Sequence, residues 1–370
     1  MSTISSEMRD MLIDSVSKFV DTEYAFEARR TLAESKLGFN PKHWRMFAEL
    51  GWLGIAFQEE LGGLGGNLAD LPKLAEQFGR GLVLEPYFSS VVLAASAIQQ
   101  GDNQTLASDL IPKLVAGELI LSLAWEELNC GSNPLNIMSS AVREPDGFRL
   151  SGEKVVVLAA PQADGFVVSA KMADSDKIGL FYVPKESQGL TLESYTLVDG
   201  ARAATLRFDN VQIAPEQLVS EDGAQTLQKT IRLGAYLLCN EALGAMEKLL
   251  QTTADYTKTR KQFGTPIAGF QVLRHTIADM YVILKKTRCF ADQCTENLRE
   301  DGDLSAEDVA ALKIQTGRAA HFIGRQAIQI HAGIGMTDEL DVGHYVKRLT
   351  ALDALLGNGR YHLQTIMAAL

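Results

Sequence analysis

The sequence predicts an α+β multidomain fold, and three observations predict it. Apolar residues recur at helical spacing through the first part of the chain. A middle stretch then alternates Val, Ile, Phe and Thr with polar residues, broken by turn signals. The last part returns to helical pattern, with no proline from Thr226 to Arg260. A chain of 370 residues exceeds what one small core organises. Three domains are expected, at residues 1–118, 119–224 and 225–370.

Within the first segment, Trp44, Phe47 and Leu50 keep a three-residue spacing that leads into Gly51-Trp52. The run Gly62-Gly63-Leu64-Gly65-Gly66 could be mistaken for a phosphate cradle, but no β-branched strand precedes it, so it reads as a turn. Helical stretches are expected from Leu71 to Phe78 and again after Pro86. In the middle segment, Asp146-Gly147 separates Ala141-Val142-Arg143 from Phe148-Arg149-Leu150, a hairpin signal. Further strands are expected at 165–170, 178–183 and 205–208, giving a small barrel or sandwich. In the last segment Leu238, Ala242, Met246 and Leu249 mark one face of a long helix. Ser305-Ala306-Glu307-Asp308 reads as a capping box that opens another helix, running to His331.

Bulk properties narrow the function. A net charge of −11 gives a nucleic-acid partner no electrostatic support. No apolar run approaches the ~20 residues of a bilayer span. The stretch Met1 to Asp10 lacks the basic start and apolar core of a secretory signal. Cys130, Cys239, Cys289 and Cys294 contain no Cys-x-x-Cys pair, so neither a metal site nor a disulfide framework is expected. A cytoplasmic location follows from these readings.

Two C-terminal segments carry the most information. The first is Arg260-Lys261-Gln262-Phe263-Gly264-Thr265-Pro266-Ile267, continuing to Phe270-Gln271. The second is Gln329-Ile330-His331-Ala332-Gly333-Ile334-Gly335-Met336. Alone, the first could be an ordinary helix end with Gly264 at its C-cap, and the second a tight loop. In this order, on long helices, they resemble the acyl-CoA dehydrogenases, flavoenzymes that desaturate acyl-CoA thioesters between the α and β carbons. The resemblance implies an N-terminal α domain, a middle β-barrel and a C-terminal four-helix bundle. It also implies FAD. Carried over, Arg260, Gln262, Phe263 and Gln271, with Gln329, Gly333 and Gly335, would hold the diphosphate and adenosine of an FAD shared with a neighbouring subunit. Arginine offers phosphate a fixed fork of donors, and glycines let backbone N–H groups approach it.

The rest of the resemblance is uneven. The flavin-ring loop of the family resembles Tyr-x-Val-Thr-Glu-Pro-Gly-Ala-Gly-Ser-Asp, and here the matching stretch is Leu123 to Asn133. Trp125, Glu126 and Ser132 are its cofactor-facing candidates, with Glu126 in place of the flavin-bonding threonine. A later Trp-x-Thr strand is replaced by Val156-Val157-Leu158. Thioester desaturation needs a base for the α-proton and a hydride acceptor, which no side chain supplies. The two usual base positions fall on Leu356 and Gly234, neither of which can take a proton. Glu241, seven residues after Gly234 and on nearly the same helix face, is the remaining candidate; it could equally meet an arginine or lysine.

The tail His344 to Thr350 and the run Asn240-Glu241-Ala242-Leu243-Gly244 resemble small subunits of heteromeric acyl-CoA dehydrogenases, of the pimeloyl-CoA and steroid-CoA types. The resemblance implies an α2β2 tetramer in which this base-deficient chain completes its partner's FAD site, with acyl-CoA as substrate and electron-transfer flavoprotein as acceptor. A self-sufficient homo-oligomer using Glu241 and a non-catalytic acyl-CoA or partner-binding scaffold are the alternatives.

Overall fold

The computed structural model describes residues 4–369; Met1 to Thr3, part of the stretch read for a leader, lie outside them. The chain divides into two compact units. One comprises Met1–Leu12, Thr31–Leu68 and Leu84–Gly234, the other Ile13–Arg30, Ala69–Val83 and Ala235–Leu370.

The helices of the N-terminal segment are α1 (Ser6–Glu23), α2 (Phe26–Glu34), α3 (Pro41–Glu49), α4 (Pro72–Gly81), α5 (Ser96–Gln99) and α6 (Gln104–Val115). Asn40 starts α3, its side chain accepting from Lys42 N–H with Pro41 as the first helical residue. Trp44 and Phe47 are buried as their spacing predicts, whereas Leu50 is exposed just past the helix end. The glycine run is a turn: Leu64 N–H bonds Gly54 O, and Gly62 takes φ 80°. The helix expected after Pro86 begins as a buried π-helical segment, Phe88–Ala95. Before it, the buried carboxylate of Glu85 meets His43 Nδ1 at 3.0 Å.

Eight strands of the first unit form one sheet: β1 (Leu121–Ala124), β2 (Ser140–Glu144), β3 (Gly147–Leu158), β4 (Gly165–Met172), β5 (Ile178–Pro184), β6 (Leu190–Thr196), β7 (Arg202–Ile213) and β8 (Leu218–Ser220). The order is β6-β7-β3-β2-β4-β5-β8, with β1 alongside β4. The β2–β3 hairpin closes at Glu144 opposite Gly147, at the Asp-Gly signal. Its core is alternating inward residues, including Phe148, Leu150, Phe166, Val168, Phe181 and Leu206. β1, β6 and β8 carry no alternation that the sequence alone distinguishes: β1 is buried throughout and β6 is largely exposed.

The second unit is helical. It holds the remainder of α7 (Ala224–Thr259), then α8 (Gln271–Asp301), α9 (Ala306–His331), α10 (Asp341–Ala354) and α11 (Gly359–Ala369). The 36 residues of α7 span about 50 Å. Leu238, Ala242, Met246 and Leu249 are all buried. Ser305 caps α9 by accepting from Asp308 N–H. A close crossing of α4 on α7 also belongs here. A Cβ on Gly244 would lie 1.8 Å from Glu76 O, and one on Gly79 would lie 1.8 Å from Glu241 O. Only glycine permits this approach at both positions. Among the described residues no helix is long and apolar enough to cross a membrane.

Candidate cofactor site

In the second unit the two C-terminal motifs come together at the ends of α7 and α9. Tyr256, in the last turn of α7, stacks on His331, the last residue of α9, with ring centroids 4.2 Å apart. Burial lowers the His331 pKa against the opposing pull of the Ala327 carbonyl, which lies 2.9 Å from Nδ1. Four residues after Tyr256, Arg260 begins a small hairpin, β9 (Lys261–Gln262) with β10 (Thr265–Pro266). Phe263 and Gly264 form its turn with φ of 53° and 80°, the paired left-handed geometry of a tight hairpin. Phe263 is 93% exposed and meets only the edge of Phe270, at 6.2 Å between centroids. Arg260, Gln262, Gln271 and Gln329 are exposed as well, with Gln271 Nε2 3.4 Å from His275 Nε2. Among the described residues the Arg260 guanidinium has no partner. Gly333 has open space where a Cβ would project; Gly335 is packed against His331. The sequence marks both segments but reads the first, taken alone, as a helix end capped at Gly264, whereas α7 stops at Thr259 and a hairpin follows; it does not mark the Tyr256–His331 stack that joins the segments.

In the first unit, the loop after β1 is held from inside. Glu127 accepts from Met138 N–H at 2.7 Å, Ser139 N–H at 3.0 Å, Ser139 Oγ at 2.7 Å and Lys154 Nζ at 2.7 Å. Burial alone would raise its pKa; the Lys154 charge and these hydrogen bonds outweigh that and lower it. Lys154 has no exposed surface, and burial brings its pKa down to about 8 against the opposing pull of Glu127. Trp125 is buried beside this pair, its carbonyl accepting from Lys154 Nζ at 3.3 Å. Ser132 sits at φ 65° and is half-buried. Glu126 is half-buried with no side-chain partner among the described residues, and burial raises its pKa. Val156, at φ 50°, turns its N–H to Tyr195 Oη at 2.9 Å.

The base candidates resolve differently. Glu241 is buried, and Arg348 grips it: Nε and Nη2 lie 2.7 and 2.6 Å from Oε1. Of the two readings open for Glu241, a base candidate or the partner of an arginine or lysine, the structure shows the second, an ion pair with an arginine 107 residues away. A guanidinium stabilises the ionised form, which opposes proton uptake. Gly234 is buried and offers no acid. Leu356 is buried at φ 55°, and its carbonyl faces His362 Nε2 at 3.1 Å. The same turn is fixed by Lys313, whose Nζ donates to Leu352 O at 2.7 Å and Leu355 O at 2.8 Å. Sequence reading passed over Lys313, although a lone lysine on the apolar face of α9 is the kind of signal that marks a buried cap.

Family models cover almost the whole chain in order: the acyl-CoA dehydrogenase N-terminal domain over residues 6–118, the middle domain over 122–211 and the C-terminal domain over 221–370. The chain belongs to the acyl-CoA dehydrogenase family. It is 28% identical over 364 residues to acyl-CoA dehydrogenase IpdE2 of Mycolicibacterium smegmatis, covering 98% of this chain and 99% of that one. It is 27% identical to the mitochondrial isovaleryl-CoA dehydrogenase of Arabidopsis thaliana, over 90% and 84% of the two chains. The ChsE4–ChsE5 complex of Mycobacterium tuberculosis contains a chain that superposes with a TM-score of 0.90 at 26% identity, covering 100% and 98%. A Tcur3481–Tcur3483 steroid acyl-CoA dehydrogenase does so with 0.89 at 28% identity, covering 98% and 97%.

Acyl-CoA dehydrogenases are FAD-dependent oxidoreductases acting on acyl-CoA, and FAD is the cofactor of this chain's class. The residues present fit one end of it. An unpaired Arg260, an exposed Phe263 and the open backbone at Gly333 suit a diphosphate and a flat ring. They do not fit the other. Glu126 brings a carboxyl where the family's ring loop has a threonine hydroxyl, and the side chains of Val156 and Leu158 can neither donate nor stack.

Proposed function

We propose that this chain is the base-deficient subunit of a heteromeric α2β2 acyl-CoA dehydrogenase and completes an FAD site whose ring lies in the partner chain. The observation that carries the reading is the contrast just described. Arg260, Phe263 and the Gly333 loop are open to the outside, whereas the positions that the family uses for ring and base carry Glu126, Val156, Leu158, Gly234 and Leu356. Bound FAD supplies the hydride acceptor. Arg260 neutralises diphosphate charge, Gln262, Gln271 and Gln329 offer amide hydrogen bonds, and Phe263 covers the adenosine. The Gly333–Gly335 loop brings backbone N–H groups near the phosphates. The α-proton of the thioester goes to a carboxylate of the partner, since Glu241 is engaged by the Arg348 guanidinium. The relatives of known structure include two heteromeric assemblies by their descriptions, which supports the same reading. Electron-transfer flavoprotein is the acceptor that goes with this class. The four cysteines are free thiols, compatible with a reducing cytoplasm.

The test is to purify the chain alone and together with a second dehydrogenase-like chain from the same source, then measure bound flavin and acyl-CoA-dependent dye reduction. Flavin and turnover confined to the co-purified assembly support the division of labour. Full turnover by the lone chain refutes it, and Glu241→Gln then decides whether that carboxylate is the base.

A further inference from the structure

A second feature of the helical unit lies outside the cofactor surface. Arg318, Phe322 and Arg325 share one face of α9, and with Arg360 and Leu363 of α11 they line a groove of about 720 Å³. Among the described residues none of these three guanidiniums has an ion-pair or side-chain hydrogen-bond partner. Several other surface arginines are neutralised: Arg207 meets Glu153 and Glu193, Arg143 meets Asp174 and Glu221, and Arg288 meets Glu76 and Glu247. The groove's carboxylate, Asp353, lies 3.9 Å from His321 instead. In a chain of net charge −11, three uncompensated cations around one groove are a local reversal of sign.

We propose that this groove docks an acidic, amphipathic helix of the second dehydrogenase-like subunit, a proposal that rests on the heteromeric reading above. Three features select that occupant. Arg318 and Arg325 stand seven residues apart, about 10 Å along the axis, a spacing that matches carboxylates two turns apart on a facing helix. The floor is apolar, with Phe322 half-buried and Leu363 48% exposed, and calls for an apolar stripe between those carboxylates. A second copy of this chain meeting the same face symmetrically would set guanidinium against guanidinium.

The experiment compares wild type, R318E/R325E and R318K/R325K, each titrated with the partner subunit at low and high salt. Both arginines are exposed positions on a helix surface, so the thermal stability of the lone chain serves as the folding control. Expected are a loss of affinity of about tenfold or more for the charge-reversed chain, near-retention for the lysine variant, and a steep salt dependence in wild type alone. A wild-type complex whose affinity ignores the reversal overturns the groove and leaves the heteromer standing. Failure of wild type to bind the partner at all overturns both. Salt-sensitive self-association of the lone chain, abolished by the reversal, overturns it in favour of a second copy.

Discussion

Lys154 is the residue whose removal should cost the first unit most. Its ammonium nitrogen is fully buried and shares Glu127, Trp125 O and Ser169 Oγ. Lys154→Met would strand the Glu127 carboxylate without its counter-charge, a change that costs about 3–5 kcal/mol for a buried pair. Adding Glu127→Leu should recover much of that loss, because an apolar pair needs no compensation; urea unfolding of the single and double variants checks both steps. His362 makes a pH-dependent contribution. Burial, reinforced by the Lys313 charge and opposed by the Leu356 and Gly357 carbonyls, takes its pKa from 6.5 to about 4. The folded value lies below the unfolded one, so the unfolded chain binds the extra proton first. Stability is therefore complete above pH 6.5 and declines as pH falls towards 4. At about 1.4 kcal/mol per pH unit the decline amounts to about 3 kcal/mol. Unfolding midpoints measured near neutrality and in mild acid should show it in wild type, and His362→Gln, which keeps a donor for Leu356 O, should flatten it.

Elements were legible in the sequence where local rules decide them and illegible where packing does. The ends of α9 follow from Ser305 and from the glycines past His331, and the β2–β3 hairpin follows from Asp146-Gly147. The strands β1 and β8 are too short to show a period, and the π segment at Phe88–Ala95 is buried from Ser89 to Ala95, which leaves no exposed face to mark its turn. The α4–α7 crossing was equally hidden, since Gly79 and Gly244 are 165 positions apart and either glycine alone looks like a weak point in a helix. Substituting Gly244→Ala tests the crossing. Helix propensity favours alanine by about 1 kcal/mol. A Cβ 1.8 Å from the Glu76 carbonyl oxygen forces the helices apart, and overpacking costs about 1–3 kcal/mol. Strain should win, because the obstructing atom is backbone and cannot rotate away. Gly333→Ala is the contrasting case: nothing lies within 4 Å of its would-be Cβ, so thermal stability should hold while FAD retention by the assembled enzyme falls. Thermal denaturation and flavin absorbance on the same preparations separate the two effects.

At the scale of the whole molecule, the residues of the proposed cofactor surface are legible as a group because they cluster in two motifs, whereas the Glu241–Arg348 pair is not. Arg348 arrives from α10, 107 positions later, and no spacing rule connects the two. The same distance effect hides the groove between α9 and α11. What folding assembles is a helical unit that presents an unpaired Arg260 and a bare aromatic ring to the outside. An exposed phenylalanine at a hairpin tip adds nothing to the stability of the unit that carries it, so its use is expected beyond that unit. Arg260→Gln is the variant that measures this. It should leave the lone chain's unfolding unchanged, since among the described residues no internal partner is lost. In the assembly it removes a charge-assisted bond to phosphate, worth about 1.5–3 kcal/mol, and should weaken FAD retention by about ten- to a hundredfold. Equilibrium dialysis of the co-purified complex against free FAD reads that ratio directly. Equal retention by Arg260→Gln and wild type would mean that the hairpin faces solvent in the assembled enzyme, and the cross-subunit reading would fail with it.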